Sequence, residues 1–176
     1  MSQARVGGDC SREFTNSRAS ACGARRRPIP EGQRQGWPAG DLYTGQYHAS
    51  LRRAADALTD QSLIRVASAW HGLVELTRSL HPYDVTIGDP KAVTVEKMAM
   101  HTAQLGLDDA HVIFLGGTEY AALLRPAVQH LYTPLTGGMG THRGLCRQAS
   151  QDAAVREIWW KQAADLHAQH RTPTKN

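Results

Sequence analysis

Apolar residues three and four apart, at Leu51, Ala54, Ala55 and Leu58, put one hydrophobic face on residues 48–58 and predict a helix there. Residues 63–69 follow another rule. They form a short, mostly apolar run with β-branched Ile64 and Val66, the pattern of a strand covered on both faces of a parallel sheet. Residues 71–89, broken by proline and glycine, read as a loop. A second helix is predicted over 93–105, capped by Thr94 and stopped by Gly106. Lys97 stands where a complete capping box would carry an acid. His111-Val112-Ile113-Phe114-Leu115 is a second buried strand, ended by Gly116-Gly117, and Thr118 caps a helix to about Leu124. A weaker strand is predicted over 129–132, then a tight turn over 134–140. From Thr141 one long amphipathic helix should reach about Ala168.

Strands alternating with helices predict an α/β fold with right-handed crossovers. The expectation is one small domain with a mainly parallel sheet of three or four strands, helices on both faces and a long C-terminal helix. Residues 63–69 and 111–115 should be adjacent or near-adjacent strands.

The chain's 176 residues suit one domain plus tails. No apolar run nears the roughly 18 residues of a membrane span, and no secretory signal opens the chain. Cys10, Cys22 and Cys146 lie too far apart to form a disulfide framework or a metal cluster, as expected of reduced thiols in a cytoplasmic protein. The net charge of +4 is unevenly placed. Residues 1–36 hold seven arginines against Asp9, Glu13 and Glu31, so they account for the whole excess. The expected division is a disordered basic leader over 1–20, a domain over 21–170 and a tail over 171–176. Such a leader can attract phosphates or serve only to solubilise.

Each predicted strand ends in small residues: Ser68-Ala69, Gly116-Gly117, and the turn Gly137-Gly138-Met139-Gly140. Ligands of open α/β sheets bind outside the carboxyl ends of the strands, where helix N-termini also point. Small residues also simply permit tight turns, and both readings stand. The glycine turn has His142, Arg143 and Arg147 in the helix behind it, which suits a phosphate or carboxylate. It lacks the Gly-Lys-Ser/Thr ending of a P-loop.

Several stretches together resemble a family of small bacterial and phage domains. They are Pro38-Ala39-Gly40-Asp41-Leu42-Tyr43-Thr44-Gly45, Ser68-Ala69-Trp70-His71-Gly72-Leu73-Val74, Pro82-Tyr83-Asp84, Leu115-Gly116-Gly117-Thr118-Glu119-Tyr120 and the turn at 134–140. That family is similar to the peroxide-stress protein YaaA. The likeness spans roughly residues 21–150. Members carry a first strand ending in a Cys-Ser/Gly-x-x-Lys turn, which Ala21-Cys22-Gly23-Ala24-Arg25 resembles with arginine for lysine. Residues 12–20 are too polar for a comfortable central strand, so the first strand is either degraded or divergent. His71 stands where the family tends to carry tyrosine.

The resemblance implies nucleobase chemistry, with a distant likeness to uracil-DNA-glycosylase-like enzymes, DNA modification and phage defence. Base excision needs a group that activates water or stabilises a cationic sugar, donors for the departing base, an aromatic to stack on it and a surface for phosphates. Asp84, His81 and His71 are the catalytic candidates. Cys22, Gly23, Arg25, Tyr43, Ser68, Tyr83, Gly116, Gly117, Gly137, Gly138, Gly140, His142 and Arg143 are the candidates for holding substrate and phosphate, with Tyr43 and Tyr83 as stacking platforms. No cofactor and no metal is expected, and the expected partner is nucleic acid, DNA ahead of RNA, with no membrane. Of Trp159-Trp160, one indole should pack on the sheet and the other cover a neighbouring surface or a dimer contact. Two classes stay open: an N-glycosyl hydrolase acting on a modified base, and a non-catalytic nucleic-acid-binding stress protein. A nucleotide or nucleoside binder is a third.

Overall fold

The computed structural model describes residues 12–17, 27–28, 36–107 and 110–171. In chain order they form β1 (Arg12–Ser17), β2 (Trp37–Pro38), α1 (Ala39–Leu42), α2 (Gln46–Leu58), β3 (Ile64–Ser68), β4 (Gly72–Glu75), β5 (Ser79–Leu80) and α3 (Val95–Gln104). Then come β6 (His111–Leu115), α4 (Thr118–Leu124), β7 (Leu131–Tyr132), α5 (Met139–Gln151) and α6 (Ala153–Arg171). The main sheet has the order β4-β3-β1-β6-β7, and β2 with β5 makes a separate two-stranded sheet. β1 is parallel to both β3 and β6, and β6 to β7, whereas β4 runs antiparallel to β3. The α/β class stands. The sheet has five strands and an antiparallel edge where the pattern predicted three or four.

One misplaced segment accounts for much of that difference. Residues 12–17 were expected within a structureless leader, yet they are the central strand, with Phe14 opposite Ile64 on one side and Ile113 on the other. A strand held between two others satisfies its backbone on both edges, and that gain outweighs the weak strand signal of Arg-Glu-Phe-Thr-Asn-Ser. β4 and β5 were missed because both lie in the segment read as a loop.

The period-two alternation of the buried strands divides the core between the two faces of the sheet. Ile64 and Val66 of β3 and Ile113 and Leu115 of β6 pack with Leu51, Ala54 and Ala55 of α2, Cys146 and Ala149 of α5, and Trp159, Trp160 and Ala163 of α6. Ala67, Val112 and Phe114 point to the other face, with Met98 of α3 and Tyr120, Ala121 and Leu124 of α4. Both tryptophans are buried in the first of these cores, so neither is left to cover an outer surface; Ile158 is the exposed neighbour. The Trp160 indole donates to the Leu58 carbonyl at 3.1 Å. Arg65 is a buried charge in β3 whose guanidinium donates to the Ser62 and Ile64 carbonyls and faces Glu75 across the strand pair at 3.8 Å.

The C-terminal helix is two helices. Asp152 takes extended backbone angles, and its carboxylate accepts from the Ala154 amide at 2.8 Å, which starts α6 afresh. Among the described residues no helix is long and apolar enough to cross a membrane.

Candidate functional site

β3 ends at Ser68, and the chain turns sharply there. The Ser68 hydroxyl accepts from the backbone amides of Trp70 at 3.3 Å and His71 at 3.0 Å, and donates to the Tyr83 hydroxyl at 2.8 Å. Tyr83 in turn shares a 2.9 Å hydrogen bond with Tyr43, from the loop before α2. Ser68 is almost wholly buried, and its hydroxyl fixes the turn and ties it to Tyr83. Tyr43 is only 6% exposed, too covered to stack on a base, and burial first and Tyr83 second hold its phenol protonated far above the usual range. Tyr83 remains half-buried at the rim and contacts the His71 ring edge to face at 5.2 Å.

His71 is the most informative side chain here. Its ring is hydrogen-bonded to the His81 backbone, while Nε2 is buried and has no partner among the described residues. Burial chiefly lowers its pKa, helped by the positive charges of Arg78 and Lys97, and the His81 backbone opposes this. His81 contributes its backbone while its side chain is exposed, and Asp84 is exposed beside Tyr83.

The second half of the site lies on the other sequence-predicted turn. Gly137 has φ +81, a left-handed angle that a side chain disfavours, and Gly138 caps α5 with no side-chain hydrogen bond. The first turn of α5 carries no acid. His142 of that turn is buried and shares a 2.7 Å hydrogen bond with the Tyr47 hydroxyl of α2, and Arg143 reaches Gln46 at 3.5 Å. These two bonds join the start of α2 to the start of α5. Burial lowers the His142 pKa, opposed by a hydrogen bond to the Gly137 backbone. Farther along, a cavity of about 450 Å³ lies between the helices, lined by Arg53, Arg143 and Arg147 with Ser50 and Gln151 and by no acid. Three arginines on one polar wall suit phosphate oxygens. Cys146 also faces this cavity, but burial pushes its thiol up to about 12, so it is no thiolate nucleophile.

The structure thus brings Tyr43, Ser68, His71 and Tyr83 into one hydrogen-bonded group, with His81 and Asp84 in the same segment as Tyr83. It gathers Gly137, Gly138, Gly140, His142 and Arg143 at the head of α5. Gly116 is buried at the end of β6, and Gly117, not Thr118, caps α4. Cys22, Gly23 and Arg25 lie outside the described residues. Sequence reasoning missed Tyr47, which lies at the start of α2. It also missed Trp70, 41% exposed next to His71. Among the described residues no three His, Cys, Asp or Glu side chains are grouped to hold a metal ion.

No curated protein matches the chain. A family model does match, over residues 22–143, and its span is telling. It takes in the Tyr43 loop, the Ser68 turn, the Tyr83 segment and the glycine turn, and it stops at the second turn of α5. This is well over half of the chain, and the protein belongs to that family, a family of unknown function (DUF6884).

Proposed function

We propose that this protein is a nucleobase-directed hydrolase that cleaves the N-glycosidic bond of a modified base in DNA. The observation that carries the reading is the exposed Asp84 carboxylate next to Tyr83, whose hydroxyl is held by Ser68 and Tyr43 and whose ring meets His71 on the same rim. In the proposed reaction a water gives its proton to the Asp84 carboxylate as its oxygen bonds to the sugar C1′. The C1′–N bond breaks, and its electron pair leaves with the base. The Tyr83 hydroxyl, held in its hydrogen-bonded chain, is placed to donate to that base. The Asp84 carboxylate opposes the positive charge that develops on the sugar, and the arginines between α2 and α5 hold neighbouring phosphates. Hydrolysis of this kind requires no redox or group-transfer cofactor.

The test is release of free base and formation of abasic sites in DNA carrying hypermodified pyrimidines. Asp84→Asn should lower base release by about 10²-fold or more, the usual worth of a positioned acid or base, while DNA binding persists. Base release unchanged by that substitution would remove the catalytic reading.

One observation favours a second reading, a non-catalytic nucleic-acid-binding stress protein. Arg53, Arg143 and Arg147 line one cavity whose wall, among the described residues, carries no carboxylate. Under that reading the protein binds DNA, and Arg143→Ala makes the salt dependence shallower by about one phosphate contact, yet no base is released from any substrate.

A further inference from the structure

A cavity of about 370 Å³ opens where the turn after β3, the residue before β5 and the head of α3 meet. Its wall carries Trp70, His71, Arg78, Lys91, Lys97 and His101, and no carboxylate. The nearby acids are engaged elsewhere. Asp89 accepts from the Lys91 backbone amide at 2.8 Å, Glu96 bonds Thr94 at the helix cap, and Glu75 faces Arg65. Arg78, Lys91 and Lys97, from separate segments, therefore line one cavity whose wall carries no acid, a surface that attracts anions. Both histidines feel the charges of Arg78 and Lys97. The His101 ring is fixed in the wall, accepting from the Leu73 amide at 3.2 Å. At the mouth, Trp70 exposes an indole face of the kind on which bases stack.

The arginine groove lies across the sheet, since α3 packs on one face and α2 with α5 on the other. Tyr43, His48 and His142 between them are buried, so the Trp70 cavity stands as a site of its own. A ligand matching it pairs a phosphate with a base. We propose that the Trp70 cavity holds one nucleotide unit of a single-stranded polynucleotide, its phosphate on Arg78, Lys91 and Lys97 and its base on Trp70. This rests on the nucleic-acid-directed part of the function proposed above, but not on catalysis.

Binding of a fluorescent twelve-residue thymidine oligonucleotide, followed by anisotropy across a salt series, tests it. Trp70, Lys91 and Lys97 are all exposed, and unchanged thermal unfolding of each variant checks that the fold is kept. The paired substitution Lys91→Gln with Lys97→Gln should weaken binding about tenfold and make the salt slope shallower by about 0.7, the value for one single-strand phosphate. Trp70→Leu should weaken binding about tenfold with the salt slope unchanged, because stacking releases no counterion. If both variants bind like wild type while Arg143→Gln with Arg147→Gln does not, the cavity proposal is overturned and the nucleic-acid reading survives. A wild type that binds no oligonucleotide overturns both. Thermal protection by inorganic phosphate that disappears in the paired lysine variant, without oligonucleotide binding, marks a free-anion site and also overturns it. Oligonucleotide binding with the expected variant effects but no base release overturns only the hydrolase.

Discussion

At Gly72 the backbone lies at φ +75, and a Cβ there would come within 2.4 Å of His101 Nδ1, the atom that receives the Leu73 amide. Gly72→Ala should therefore cost at least the roughly 1–2 kcal/mol of a left-handed alanine, with more for displacing the imidazole, and denaturant unfolding would read it. Gly138 differs: nothing lies within 4 Å of its Cβ position and its φ of −87 is ordinary. Gly138→Ala should change stability by less than about 1 kcal/mol, and a large loss would mean that the turn depends on more than Gly137. Three histidines supply a pH dependence. The pKa values of His71, His101 and His142 are all lowered, burial being the first cause in each. A ring whose folded pKa lies below the ordinary value of about 6.5 binds a proton more weakly folded than unfolded. Stability is thus fully present above about pH 6.5 and declines as pH falls through the folded values. Melting temperature should drop between about pH 7 and pH 5, and the drop should shrink in His142→Gln. A melting temperature that is flat across that range would show that the rings titrate alike in both states.

Among the elements, α3 obeys its local signals closely. Thr94 accepts from the Lys97 amide at 3.3 Å as a cap should, and Gly106 takes a left-handed φ of +67 just past the helix end. The junction of α5 and α6 was harder to read, because an Asp with helix formers on both sides also fits one continuous helix. Its carboxylate caps α6, while the Arg156 guanidinium donates to the Ala149 carbonyl near the end of α5 at 2.8 Å. Asp152→Ala should cost about 1 kcal/mol, the usual loss of an N-cap, and lower the melting temperature accordingly. An unchanged melting temperature would mean that packing alone sets the bend. Between α2 and α5, the Tyr47 to His142 bond does what pattern analysis could not foresee: it fixes the glycine turn against the loop that carries Tyr43.

For the whole molecule, the decisive element is β1. Deleting residues 1–18 removes the strand between β3 and β6, leaving an inner edge of each without its ladder partner. The truncated chain should lose its cooperative thermal transition, whereas a dispensable leader would leave melting unchanged; circular dichroism distinguishes them. The residues by themselves determined the elements whose information is local. β6 and α4 were legible because an apolar run, a glycine pair and a helical apolar spacing sit within fifteen residues, and β3, α2 and α3 were legible to within a few residues for the same reason. The stretches holding Ser68, His71, Tyr83 and the glycine turn could also be read, since strand ends and turn residues mark a rim. Only the tertiary structure decided the rest. A polar hexapeptide becomes the central strand because two neighbours complete its backbone hydrogen bonds, and no side-chain pattern records that. Ser68 and Tyr43 were recognised as rim residues, but their burial turns them into supports for Tyr83, and burial depends on what other segments cover. The setting of the His71 ring against Tyr83 likewise depends on a segment beyond β5. Lys91 and Lys97, unremarkable in sequence, face one cavity with Arg78 because β4, β5 and α3 fold back beside the end of β3. Period and propensity act over a few residues, whereas desolvation, charge convergence and the pairing of a central strand are sums over segments that only folding brings together.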